Sequence, residues 1–336
     1  MNINKFLIAA MILGCTGTLA FAQRGGGLKF HEDGTFRIVQ FTDTHLDPST
    51  PERNAQAEKT FPRISRVIRT QKPDLIVFSG DVVTGPPAEK MWKRLTDSLD
   101  VYKIPYVVVF GNHDSEQNLT RPQLADCVLA SGYSLNVKGK DKELADIEIP
   151  VYGEGKHPGA VLYFMDSHSN SPREDIDGYA WFYDSQVQWM RKKNAAMTAS
   201  NGGTPVPAIA FFHICLPEYA DAWRNRSNSH IGRAAEEECP GALNTGMFAA
   251  MVEGGSVMGT FVGHDHDIDY IVADKGIALG YGRYSGDNTT YNNLRPGARI
   301  IDLTEGSRSF VTWILEDDGR VVDKVEFSEG KISKKK

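Results

Sequence analysis

Five stretches of this sequence end in side chains able to bind a cation: Asp43-Thr44-His45, Gly80-Asp81, Gly111-Asn112-His113-Asp114, Phe211-Phe212-His213 and Gly263-His264-Asp265-His266. Their donors are Asp43, His45, Asp81, Asn112, His213, His264 and His266, a mixture of imidazole, carboxylate and amide. Such a set suits a borderline transition metal, Zn, Mn or Fe, rather than Ca or a thiolate-bound structural Zn. Seven donors exceed what a single catalytic ion with an open position needs. They are natural for two ions ~3.5–4 Å apart that share a carboxylate and clamp the attacking and leaving oxygens of an in-line displacement.

Donors this far apart in sequence meet only if the fold gathers them. Each station follows a short apolar run with strand character. Phe36 to Phe41 alternates, whereas Asp74 to Phe78 and Tyr106 to Phe110 are continuous and β-branched, as strands buried on both faces are. Ala160 to Met165, Pro207 to Phe212 and Ser256 to Val262 repeat the pattern. Helical periodicity fills Ala55 to Thr70 and Ala88 to Val101, and Pro73 and Pro105 then hand the chain to the next strand. A β-α-β-α-β order predicts an α/β fold with a parallel sheet, whose strand carboxyl ends share one crevice. The stretch from Ile268 to Phe327 reads as paired strands turning at Gly276, Gly306 and Asp318-Gly319. With no repeat and no long polar linker, residues 28–328 are expected to form one domain, and Lys334 to Lys336 a solvated end.

The five stations, in this order, resemble the signature of calcineurin-like metallophosphoesterases. The wording around two of them, Lys72 through Asp81 and Phe211 through Tyr219, is similar to the short purple acid phosphatase-like branch. The resemblance implies a sandwich of two mixed β-sheets flanked by helices. It implies that Asp43, His45 and His266 hold one ion, that Asn112, His213 and His264 hold the other, and that Asp81 bridges them. The pair would be divalent or mixed-valence Fe, Zn or Mn, and the reaction an in-line attack of a metal-held hydroxide on a phosphate monoester. In that scheme His113 stabilises charge or protonates the leaving oxygen, and Asp114 orients its ring. Purple acid phosphatases carry a tyrosine three residues after the bridging Asp. Here that residue is Thr84, so no purple band is expected and the first metal is left open. Phosphodiesterase or nucleotidase action on the same metals is the alternative, and a metal-binding protein without turnover a third reading.

Taken singly, the stations have plainer readings: Asp81 a helix cap, Asn112 a turn residue, His213 a core histidine. Joint placement reverses them. His31, His157, His168 and His230 carry no motif, although His168 ends an apolar run and could line a cleft. Tyr179 to Tyr183 and Tyr281 to Tyr284 read first as core packing and second as substrate walls. Arg283 among them would favour a terminal phosphate if it lay near the two cations.

The chain has 336 residues and a net charge of −6, which argues against a partner bound by bulk attraction to polyanions and fits a small phosphorylated substrate. Lys5, the apolar run Phe6 to Leu13 and Ala20-Phe21-Ala22 read as a signal peptide over residues 1–22, cleaved after Ala22, with export to the periplasm or beyond. The alternative is a lipoprotein box ending at Cys15. The apolar run is too short to span a bilayer, for which ~20 residues are needed. Without Lys5, 36 basic residues face 43 acidic ones, a net of −7. Three cysteines then remain, Cys127, Cys215 and Cys239, so at least one is unpaired; a Cys215–Cys239 bridge is one pairing, and Cys127 reads as a buried, inert thiol. The oligomeric state is left open.

Overall fold

The computed structural model describes residues 27–290 and 293–335, so the leader read over residues 1–22 and its alternative at Cys15 lie outside the described residues. The first half of the chain contains β1 (Leu28–Lys29), β2 (Thr35–Phe41), α1 (Pro51–Gln71), β3 (Leu75–Ser79), α2 (Ala88–Asp100), β4 (Tyr106–Val109), α3 (Arg121–Leu129), β5 (Ile147–Tyr152) and β6 (Pro158–Phe164). The second half continues with α4 (Asp184–Ser200), β7 (Ala208–Phe211), α5 (Glu218–Arg224), β8 (His230–Ile231), α6 (Met247–Gly254) and β9 (Val257–Val262). It closes with β10 (Ile271–Asp274), β11 (Ile277–Tyr281), β12 (Gly297–Thr304), β13 (Phe310–Glu316), β14 (Val321–Ser328) and β15 (Lys331–Lys334).

Apolar runs that read as buried on both faces do line two cores. Within β2, β3 and β4, Ile38, Leu75, Val77, Val107 and Val109 pack inward against β6, β7 and β9 of a second sheet. Their neighbours Val39, Phe41, Ile76, Phe78 and Val108 point the other way, onto α1, α2 and α3. The second sheet buries its outer face, Val161, Tyr163, Ala208 and Ala210 among others, under α4, α5 and α6. The result is four layers, helices outside and two sheets inside, and burial of whole strands is what makes those runs continuous.

The sheets are mixed, as expected. The seven-stranded one runs β15-β14-β13-β12-β2-β3-β4, and the eight-stranded one β1-β5-β6-β7-β9-β11-β10-β8. β2, β3 and β4 are mutually parallel, as are β6, β7 and β9. The turns at Gly276, Gly306 and Gly319 join antiparallel pairs, and β12 seats this C-terminal meander against the free edge of β2. One strand lies beyond residue 328: β15 pairs with β14, so Lys334 sits opposite Val325 rather than in a free tail.

Helix α1 begins four residues before the apolar periodicity does, because the Thr50 side chain accepts the Arg53 N–H and Pro51 occupies the first turn. It ends on Lys72 in left-handed conformation, and Pro73 follows. Among the described residues no helix is long and apolar enough to cross a membrane.

Candidate metal centre

Parallel pairing carries the five stations to one edge shared by both sheets. Beyond the end of β2, Asp43 N–H donates to the Gly80 carbonyl (3.0 Å), His45 N–H to that of Asp81 (2.9 Å) and Leu46 N–H to that of Val82 (2.9 Å). Across the sandwich, Gly263 N–H donates to the His213 carbonyl (3.1 Å), and His264 N–H reaches the Asp43 carboxylate (3.1 and 3.2 Å). The backbone bends sharply to do this: Asp43, His45, Asp81 and His264 all have positive φ, between 40° and 78°. Glycine clears the remaining space. A Cβ on Gly111 would lie 2.2 Å from Asp81 Oδ1, and one on Gly263 would lie 2.6 Å from Asp43 Oδ2.

Six of the seven donors form two groups, Asp43 with His45 and His266, and Asp81 with His213 and His264, each with its donor atoms within 4.8 Å of one another. The seventh, Asn112, joins the second group through Oδ1, 3.1 Å from His213 Nε2. Asp81 Oδ2 lies between the groups, 3.2 Å from His213 Nε2 and 3.7 Å from His45 Nε2. Its other oxygen accepts the His113 N–H at 2.8 Å. Two rings are aimed from behind: His213 Nδ1 donates to the Ser79 carbonyl (2.8 Å) and His266 Nδ1 to the Thr290 carbonyl (2.9 Å), which leaves each Nε2 facing a carboxylate.

The electrostatics are those of a cation site. Burial alone would raise the Asp81 carboxyl, yet the imidazoles of His213 and His45 hold it far below the usual range. Burial would likewise depress His213 and His266, but Asp81 lifts the first to about 10 and Asp43 lifts the second to about 9. Burial wins at His45 and His264, pushed down to about 4 and about 3. These two neutral rings each keep Nε2 buried without a hydrogen-bond partner. A buried, unpaired imidazole nitrogen in each group is what a transition-metal ligand awaiting its ion presents.

The structure corrects the expected role of Asp114. Its carboxylate is fully buried and accepts the backbone N–H groups of Gly111 (2.7 Å), Val82 (2.8 Å) and Val83 (3.1 Å), so it ties the loops after β3 and β4 together. Its hydrogen bonds are to backbone and none is to the His113 ring. The ring meets Glu116, whose Oε2 is 2.5 Å from Nδ1. The signal available in the sequence was the spacing of three residues in a tight turn, over which side chains eclipse.

Arg283 takes the core role that its stretch was first read as having. It is wholly buried, pairs with Asp269 and with Glu316 (3.2 Å), and donates to the Arg295 carbonyl (2.6 Å), so its fork is committed inside the protein. Tyr179, read first as core, instead sets its ring edge-on to His264, centroids 4.3 Å apart. His168 stacks on Tyr183 and bonds Gln186 at 2.8 Å. Cys127, Cys215 and Cys239 are free thiols, Cys127 half-buried rather than enclosed. Cys215 Sγ (4.0 Å) and the Cys239 N–H (3.3 Å) both face Asp265 Oδ2 without a bridge between them.

The calcineurin-like phosphoesterase family matches residues 36–273. The Arabidopsis thaliana protein named "Probable inactive purple acid phosphatase 28" is 29% identical over 87% of this chain and 83% of its own length. Phosphatase DCR2 of Saccharomyces cerevisiae is 28% identical over 84% of this chain and 54% of its own. Among solved structures, a dimetal phosphatase from Danio rerio superposes with a TM-score of 0.59 at 14% identity, covering 87% of this chain and 98% of that one, a likeness of fold.

Proposed function

Since this chain belongs to the calcineurin-like phosphoesterase family, hydrolases of phosphoric esters, we propose that it is an active phosphomonoesterase working through two transition-metal ions. The observation that carries the reading is the pair of buried, partnerless Nε2 atoms on His45 and His264, one in each group, with Asp81 Oδ2 between them. Asp43, His45 and His266 would hold one ion, Asn112, His213 and His264 the other, with Asp81 shared; the donors fit Fe, Zn or Mn. When bound, the ions would supply a water of lowered pKa as nucleophile and positive charge to offset that of the phosphate. His113, half-exposed and anchored by its backbone to Asp81, would neutralise charge or protonate the leaving oxygen. The net charge of −6 supports a small ester over a long polyanion.

The name of the Arabidopsis relative raises a second reading, a protein that binds metal without turnover. All seven donors and His113 stand together here, which weighs against it. The deciding experiment measures metal content and then compares p-nitrophenyl phosphate with bis-p-nitrophenyl phosphate. About two ions per chain and faster monoester hydrolysis are expected. Preference for the diester would move the assignment to phosphodiesterase or nucleotidase, and two ions without turnover would establish the second reading. We propose also that residues 1–22 direct export to the periplasm or beyond, so the exported protein should begin at Gln23; a lipid on Cys15 would favour the lipoprotein form.

A further inference from the structure

Four contacts fix the turn that carries His113. Its N–H is held by Asp81 Oδ1, and the three backbone groups bonded to Asp114 lock the residues on either side. What remains free is rotation of the imidazole about its side-chain torsions. Glu116 removes that freedom. Residues His113–Ser115 form a 3₁₀ turn closed by Glu116 N–H to the His113 carbonyl (3.2 Å), which brings the two side chains onto one side, Oε2 against Nδ1 at 2.5 Å. Among the described residues no Lys or Arg pairs with Glu116, so its carboxylate is committed to this ring.

We infer that Glu116 is the positioning residue of His113, holding its ring through Nδ1 so that Nε2 is the nitrogen offered to the reacting ester. The inference rests on the role given to His113 above. An ionised carboxylate only accepts, so Nδ1 must carry a hydrogen and the neutral ring is the tautomer with Nε2 bare; when protonated, it is Nε2 that has a proton to give. Asp114 does not share this duty: its oxygens are turned to the backbone N–H groups of Gly111, Val82 and Val83. The pair is 43% and 48% exposed, a setting in which ion pairs add little to stability. Its contribution is therefore orientation, and losing it should leave the fold and the metal content intact.

The test uses the zinc-loaded protein with ¹⁵N-labelled histidine. Long-range ¹H–¹⁵N spectra should show His113 protonated at Nδ1 in the native chain and shifted toward Nε2–H in Glu116→Ala, with metal content and Tm unchanged. In parallel, turnover of an alkyl phosphate, whose leaving oxygen needs a proton, should fall roughly 10- to 100-fold in Glu116→Ala. Turnover of p-nitrophenyl phosphate, which leaves as a stable anion, should fall far less, and Glu116→Asp should recover part of the loss. A native His113 protonated at Nε2, or equal losses on both esters, overturns the inference. If neither ester is hydrolysed while the Nδ1–H signal is present, the pairing stands and the phosphatase reading falls.

Discussion

The ring of His213 fills the space that a Cβ on Gly80 would need. An added methyl carbon would sit 2.2 Å from Nδ1 and 2.4 Å from Cγ, and Gly80 also has a φ of +100°, which L side chains rarely adopt. Gly80→Ala should therefore displace the imidazole from the second group. The expected result is loss of about one ion per chain and a drop in stability of about 1–3 kcal/mol. Metal analysis and thermal unfolding check both; two ions at unchanged Tm would contradict this packing account.

Asp81 and His113 are neighbours with different duties, and their variants should separate. Asp81→Ala removes the oxygen lying between the two groups, so both ions should be lost or greatly weakened. His113→Ala leaves every donor in place and should keep the metal while lowering turnover on the order of 10²-fold or more. Equal metal loss in the two variants would show that the division of roles is mistaken.

Protonation links the empty and loaded states. His213 and His266 in the ion-free fold have pKa values raised to about 10 and about 9 by the carboxylates beside them. A group raised in this way stabilises the fold fully below its unfolded value, ~6.5, and that stabilisation fades as pH climbs through the folded values. The Tm of the ion-free protein should accordingly decline between pH 7 and 10. Metal ligation requires neutral imidazole, so loading at pH 7.5 should release about two protons per chain. Affinity should rise with pH up to about 10. Calorimetric titration in buffers of different ionisation heat measures the release, and zero release would refute the protonated pairs.

Arg283 tests the interior. Replacing it by Met leaves Asp269 and Glu316 buried with less opposing charge, at a cost of about 3 kcal/mol. Because its guanidinium faces inward, KM for p-nitrophenyl phosphate should stay the same. A raised KM with native stability would return Arg283 to the substrate side.

Most of the centre was legible because its donors are tied to strand ends. A strand buried on both faces announces itself as a continuous apolar run, as at Leu75 to Phe78, and the polar residue that ends it must emerge at the sheet's edge. The carboxylate serving His113 was not legible. Asp114 and Glu116 both stand close to it in sequence, and the choice was made by the backbone N–H groups of Val82 and Val83, some thirty residues away, which capture Asp114. Arg283 was hidden for the same reason, since its partner Glu316 belongs to β13, brought near only by the C-terminal meander. Short-range spacing ranks candidates; contacts made by distant segments decide between them.

The left-handed backbone at Asp43, His45, Asp81 and His264 sets the ligands against their own local preference. Each of these residues gives up about 1 kcal/mol to a conformation that glycine adopts freely. Only glycine would relieve that cost, and glycine offers no donor atom, so the centre keeps its ligands against the local backbone preference.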